Sequence, residues 1–126
     1  MSLRLAQITD CHLQADALTF YKGVDADAHL DQCLSWLHNN AEVDLLMLTG
    51  DLSHFGSEAA YQRLKKKLSS LTYPCIWLAG NHDNCGIMQG VSGQAVQQLR
   101  VLDYDHWRLV VLNTTANADG NGAGSI

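Results

Sequence analysis

The chain has little positive charge: eight Lys and Arg stand against thirteen Asp and Glu, a net charge of -5. That balance excludes a nucleic-acid surface, which needs a basic stripe along the phosphate backbone. It also has no apolar run near the roughly eighteen residues of a membrane span. The four cysteines, at 11, 33, 75 and 85, form no CxxC pair and are too sparse for a disulfide framework. Reduced thiols in a cytoplasmic protein are expected. Met1-Ser2-Leu3-Arg4 runs straight into a strand-like pattern, so no leader peptide is expected either. Glutamate is rare, with two residues against eleven aspartates, and there is one proline. What remains is ordinary for a folded domain: 126 residues, 47% hydrophobic and 17% charged, sufficient for one core. The surplus of short carboxylates directs attention to turns and hard-metal ligands.

Three short apolar runs read as strands: Leu3 to Thr9, Leu45 to Leu48 and Cys75 to Ala79. The second is apolar on both faces, as buried parallel strands are. Between the runs lie two helical patterns. Residues 25–40 carry Leu30, Cys33, Leu34 and Leu37 at helical spacing, with Asp27 on another face. Ser57 then caps a helix with inner stripe Tyr61, Leu64, Leu68 and Leu71, and with Lys65, Lys66 and Lys67 on a solvated face. The order is βαβαβ, with connections long enough for parallel crossovers. Residues 84–97 are rich in glycine and read as a loop or a short, poor helix. Val101 to Tyr104 and Trp107 to Leu112 predict a hairpin turning at Asp105-His106, and Asn113 to Ile126 a loop.

Each of the three parallel runs ends in polar residues of one kind: Thr9-Asp10-Cys11-His12, Thr49-Gly50-Asp51 and Gly80-Asn81-His82-Asp83. Ligands of an open parallel sheet bind at the carboxyl ends of its strands, so these stretches bring Asp10, His12, Asp51, Asn81 and His82 to one place. The D-x-H step puts Asp10 and His12 on the same side of an extended backbone, and strand alternation points Cys11 into the sheet packing. Carboxylate, imidazole and amide oxygen suit Mn, Fe or Zn. Taken singly, each piece has a plain reading: D-x-H is a common step, Gly-Asp a turn, Asn81 and Asp83 turn formers, His82 a surface histidine. Their joint occurrence in order is what carries weight.

The ordered set resembles the calcineurin-like metallophosphoesterases, whose opening motifs are D-x-H, G-D and G-N-H-D/E. The flanking words Gln7-Ile8-Thr9-Asp10, Leu48-Thr49-Gly50-Asp51-Leu52-Ser53 and Leu78-Ala79-Gly80-Asn81-His82-Asp83 are similar to the bacterial branch related to class III 3',5'-cyclic-nucleotide phosphodiesterases. The resemblance implies an α/β/β/α sandwich, of which residues 1–126 supply the N-terminal βαβαβ half plus a β-hairpin. It implies a dinuclear centre of two divalent metal ions. Asp10 and His12 would bind the first, Asp51 would bridge both, and Asn81 would bind the second. His82 would sit beside the scissile phosphate, as proton donor or charge stabiliser. Asp83 either orients His82 through a ring nitrogen or caps the following turn. His54 is close enough to face the site, on the substrate side or at the surface. His29 and His38 on the first helix are expected to face solvent, and His106 to sit in the hairpin turn.

The family's later motifs, a histidine after another strand and a terminal G-H-x-H, have no counterpart, since no histidine follows His106. The second metal site is therefore expected to be incomplete in this chain. The leading expectation is a metal-dependent phosphodiesterase acting on a small phosphodiester such as a cyclic nucleotide. The alternative is a catalytically incompetent metal-binding or interaction module. A metal-free nucleotide-binding domain is disfavoured, because neither G-x-G-x-x-G nor a P-loop occurs. Apolar strands without a second covering sheet also predict a homo-oligomer, most simply a two-fold dimer packing sheet on sheet.

Overall fold

The computed structural model describes residues 2–40 and 42–115. Its elements are β1 (Leu5–Ile8), α1 (Ala26–Asn40), β2 (Leu45–Thr49), α2 (Glu58–Leu68), β3 (Cys75–Leu78), α3 (Cys85–Ser92), β4 (Arg100–Tyr104) and β5 (Trp107–Val111). The first three strands form a parallel sheet in the order β1-β2-β3, with Leu5 opposite Leu45 and Thr49 opposite Leu78. The βαβαβ order expected from the apolar runs is the order observed, and all three carboxyl ends lie at one edge.

Strand alternation divides the apolar residues between two cores. Ala6, Ile8, Leu46, Leu48, Cys75 and Trp77 face the helices, where they meet Leu30 and Leu34 of α1, Tyr61 and Leu64 of α2, and Met88 and Val91 of α3. Leu45, Met47, Ile76 and Leu78 point to the other face and pack against Leu102, Tyr104, Leu109 and Val111. Those last four belong to the β4–β5 hairpin, which is a separate antiparallel sheet laid on β2 and β3. The cover expected from a second copy thus comes in part from the chain itself. Full burial of each leucine contributes roughly 1.5–3 kcal/mol, so both layers matter to stability.

Several local readings are corrected by the packing. Of the two readings for residues 84–97, the short helix holds over 85–92 despite Gly86 and Gly90, because its ends are well punctuated. Asn84 caps it by accepting from the Ile87 amide (3.0 Å), and Gly93 ends it in the left-handed region at φ 71°. Cys33 is exposed, so only Leu30 and Leu34 of the expected α1 stripe are fully buried with Leu37 half-covered. Leu71 lies beyond the end of α2. Asp27, on a face other than the apolar stripe, is buried between the helices, where Arg63 grips its two oxygens at 2.7 and 2.9 Å and Lys67 approaches to 3.3 Å. Lys67 therefore belongs to an interhelical ion pair instead of the solvated face. The expected loop from Asn113 falls outside the described residues after Thr115.

Candidate metal centre

The site is built where the three parallel strands stop. β1 ends at Ile8, and the next residues leave the extended conformation: φ is 57° at Asp10 and 47° at His12, and 50° at Asp51 beyond β2. These left-handed values are uncommon away from glycine and cluster where neighbouring structure enforces them. Here the enforcement is a short zipper beyond the strand ends. The Asp10 amide donates to Gly50 O (3.0 Å), His12 to Asp51 O (2.9 Å), Leu13 to Leu52 O (3.0 Å), and His54 back to Leu13 O (3.0 Å). The strand-alternation argument for D-x-H is therefore corrected. Asp10 and His12 approach each other across a left-handed, non-extended backbone, and Cys11 between them packs against the core. Burial, followed by the charges of Asp83 and Asp10, pushes the Cys11 thiol up to about 12.

His12 is buried, with Nε2 3.7 Å from Asp10 Oδ1 and 3.8 Å from Asp51 Oδ2. Three ligands bound at about 2.0–2.2 Å around one cation stand roughly 3.3–3.6 Å apart in tetrahedral geometry. The two spacings from His12 exceed that by a few tenths of an ångström and all three ligand atoms lie within 4.8 Å of one another, so the donor set fits a divalent cation with some contraction. The two oxygens of Asp51 are directed differently. Oδ2 faces His12, while Oδ1 accepts from the His82 amide at 3.0 Å and so reaches the β3 loop. Asn81 and His82, both half-buried, occupy that loop. Among the described residues the Asn81 side chain makes no hydrogen bond, which leaves its amide oxygen available.

Gly80 allows the second and third loops to touch. A β-carbon there would collide with the Asp51 carboxylate and backbone nitrogen, and one on Gly50 would sit 3.0 Å from Gly80 Cα. Asp83 then locks the contact. Its Oδ2 accepts from the amides of Gly80 (2.8 Å) and Leu52 (3.2 Å), and Oδ1 from the Ser53 amide (3.0 Å) and the Tyr61 hydroxyl (2.7 Å). Neither reading for Asp83 describes these contacts: its partners are the preceding Gly80, the second loop and Tyr61, while Asn84 caps the helix that follows. No ring nitrogen of His82 is among its partners. Burial pushes the Asp83 carboxyl above the usual range, with the four hydrogen bonds pulling it back down.

His54 joins the site more closely than its sequence position suggested. Its Nδ1 is 3.1 Å from His12 Nδ1, its ring stacks on His82 (centroids 4.8 Å apart), and its carbonyl oxygen is 3.0 Å from His82 Nδ1. His12, His54 and His82 can bring ring nitrogens within 4.8 Å of one another, as can the ligand atoms of Asp10, His12 and Asp51. Burial, followed by the neighbouring His82 and His12, lowers the His54 pKa, with Asp51 opposing. His29, His38 and His106 are exposed. Two residues at the site escaped the sequence reading. Tyr21 stacks on His12 with centroids 4.4 Å apart and planes 7° from parallel, from a loop without periodicity to flag it. Tyr61 counted only as a core residue, although its hydroxyl also accepts from the Asn84 amide (3.0 Å). Arg63 holds the loop that follows His12 by donating to Gln14 O (2.7 Å) and Ala15 O (3.2 Å).

Comparison with known proteins bears on what this arrangement does. A sequence model of the calcineurin-like phosphoesterase family matches residues 3–120. The chain is 30% identical over 115 residues to the 3',5'-cyclic adenosine monophosphate phosphodiesterase CpdA of Pseudomonas aeruginosa, covering 90% of this chain and 42% of that protein. It is 33% identical over 119 residues to CpdA of Escherichia coli K12 (89% and 42%), and 31% identical over 117 residues to a 3',5'-cyclic-nucleotide phosphodiesterase of Nostoc (91% and 44%). The chain therefore spans less than half the length of these relatives. The parallel sheet, helices and hairpin match the N-terminal half of a metallophosphatase fold. No helix among the described residues is long and apolar enough to cross a membrane.

Proposed function

This chain belongs to the calcineurin-like phosphoesterase family, and from that premise we propose that it carries the metal-binding core of a phosphodiesterase acting on a 3',5'-cyclic nucleotide or a similar small phosphodiester. The observation that carries the reading is the convergence of Asp10, His12 and Asp51 beside the Asn81-His82 loop, at the carboxyl end of one parallel sheet. Asp10, His12 and Asp51 would hold a first divalent cation, with Mn, Fe and Zn all suited to that donor set. Asp51, whose two oxygens face different loops, and Asn81 would hold a second. When bound, such cations supply Lewis acidity to phosphoryl oxygens and lower the pKa of a bound water. His82 would hold a proton for the leaving oxygen through Nε2, a role supported by the engagement of its Nδ1 with the His54 carbonyl.

The cyclic nucleotide enters from the names of the relatives, and the ligand count argues for slow turnover by this chain alone. Three protein ligands for the first cation match a catalytic site, but two for the second fall below the three that such sites keep. Zinc titration by calorimetry, with bis-p-nitrophenyl phosphate and 3',5'-cyclic AMP hydrolysis measured in manganese, tests the reading. We expect zinc binding that Asp51→Asn abolishes, and slow hydrolysis that disappears with it. Equal zinc binding by the native chain and Asp51→Asn would refute the site.

A further inference from the structure

Beyond the residues that would touch metal or phosphate, His54 stands between two of them and uses a different part of itself for each. The Nδ1 atoms of His54 and His12 are 3.1 Å apart, and the His54 carbonyl oxygen is 3.0 Å from His82 Nδ1. A carbonyl oxygen can only accept, so the hydrogen of the second contact sits on His82 Nδ1. In the first contact one nitrogen carries hydrogen and the other a lone pair, because a neutral imidazole has one of each. The far side of His12 decides which. Its Nε2 faces Asp10 Oδ1 and Asp51 Oδ2, where a cation requires a lone pair. The hydrogen of His12 then belongs on Nδ1, and His54 Nδ1 must accept it.

We propose that His54 is a positioning residue: its ring accepts the Nδ1–H of His12 while its carbonyl accepts that of His82, so that both imidazoles present Nε2 to the cleft. The inference rests on the metal site proposed above and adds to it a residue that touches neither metal nor substrate. Metal-binding histidines generally pass their other N–H to a carboxylate, a carbonyl or water, which sets tautomer and ring orientation. Here a second imidazole takes that place and brings no negative charge with it. Its own position is held at several points. The His54 amide donates to Leu13 O one residue from His12, its ring stacks on His82 at 19°, and Phe55 meets it edge-on at 4.4 Å. Tyr21 stacks on His12 and also meets the His54 ring, with centroids 4.9 Å apart.

The test reads histidine tautomers in the metal-free chain by long-range 1H–15N correlation at pH about 8, where imidazoles of ordinary pKa are neutral. Nδ1–H is expected for His12 and His82, and Nε2–H for His54. His54→Phe keeps a ring for stacking and removes the acceptor, whereas His54→Asn returns an amide oxygen close to where Nδ1 stood. In His54→Phe, His12 should lose its fixed tautomer and zinc affinity should fall about 10–100-fold. His82 should be unchanged, because the carbonyl remains. His54→Asn should keep both the His12 tautomer and most of the zinc affinity. An Nε2–H tautomer for His12 in the native chain would overturn the proposal, as would a folded His54→Phe that matches the native chain in tautomer and affinity. Should His54→Phe fail to fold, the native tautomer and His54→Asn decide: a folded His54→Asn with zinc affinity as weak as predicted for the Phe variant also overturns it. A native chain with the expected His12 tautomer that binds no zinc would refute the metal reading and leave the hydrogen-bond assignment standing.

Discussion

Replacing Asp83 by alanine would remove the most heavily bonded of the groups that tie the second and third strand-end loops together. The side chain is buried and accepts from four donors: the amides of Leu52, Ser53 and Gly80 and the Tyr61 hydroxyl. An alanine methyl can accept from none of them. A buried donor left without a partner costs about 1–3 kcal/mol, and loop relaxation recovers part of that, so about 4 kcal/mol is expected in total. Against a typical stability of about 5–15 kcal/mol this is a large fraction. At about 3–5 °C per kcal/mol for a domain of this size, the melting temperature should fall by about 12–20 °C. Tyr61→Phe removes one donor from Asp83 and orphans the Asn84 amide, and should cost only about 1–2 kcal/mol. Urea unfolding of both variants, with zinc titration of whatever remains folded, measures the hierarchy. A loss below about 1 kcal/mol in Asp83→Ala, or an equal loss in Tyr61→Phe, would refute the four-donor latch.

Gly80→Ala should destabilise the fold by about 1–3 kcal/mol and weaken zinc binding, because the new methyl displaces the Asp51 carboxylate; urea unfolding and calorimetry check both effects. Burial raises the pKa of Asp27, but the hydrogen bonds and charges of Arg63 and then Lys67 outweigh it, and the folded value lies below the unfolded one. Its carboxylate therefore contributes stability above the unfolded pKa of about 3.9 that is lost as pH falls through the folded value. Asp27→Asn should be less stable than the native chain at neutral pH and lose less between about pH 5 and pH 2, as read by urea midpoints across that range. Burial pushes the Cys75 thiol up to about 12, as it does that of Cys11, whereas Cys33 is exposed. Iodoacetamide at pH about 8 should label Cys33 first and reach Cys11 and Cys75 only on unfolding, because the thiolate is the reactive form; rapid labelling of Cys75 in the folded chain, seen by peptide mass spectrometry, would contradict its burial.

Much of the architecture was legible before any coordinates, because local chemistry specifies it. Apolar runs bounded by turn residues mark β1, β2 and β3, and Ser57 followed by Glu58 marks the start of α2. Polar residues at the ends of three consecutive parallel strands must share one edge, so Asp10, Asp51 and the Asn81-His82 pair could be brought together from chain order alone. Tertiary structure decided everything that depends on two distant segments meeting at hydrogen-bond range. Asp27 looks like a surface aspartate until α1 and α2 pack and Arg63 reaches it across 36 positions. Asp83 is equally a turn residue or a histidine partner until the amides of Leu52 and Ser53 arrive from the second loop. The left-handed turns at Asp10 and His12 replaced the extended strand implied by D-x-H, because the zipper to Gly50 and Asp51 favours them over continued pairing. Its place just after Gly50-Asp51 let His54 face the site but gave it no partner. Only the approach of its Nδ1 to His12 and of its carbonyl to His82 supplies one. Sequence patterns register burial and backbone preference, which are local. The direction of a lone pair is settled by its partner, and that partner is supplied by the fold.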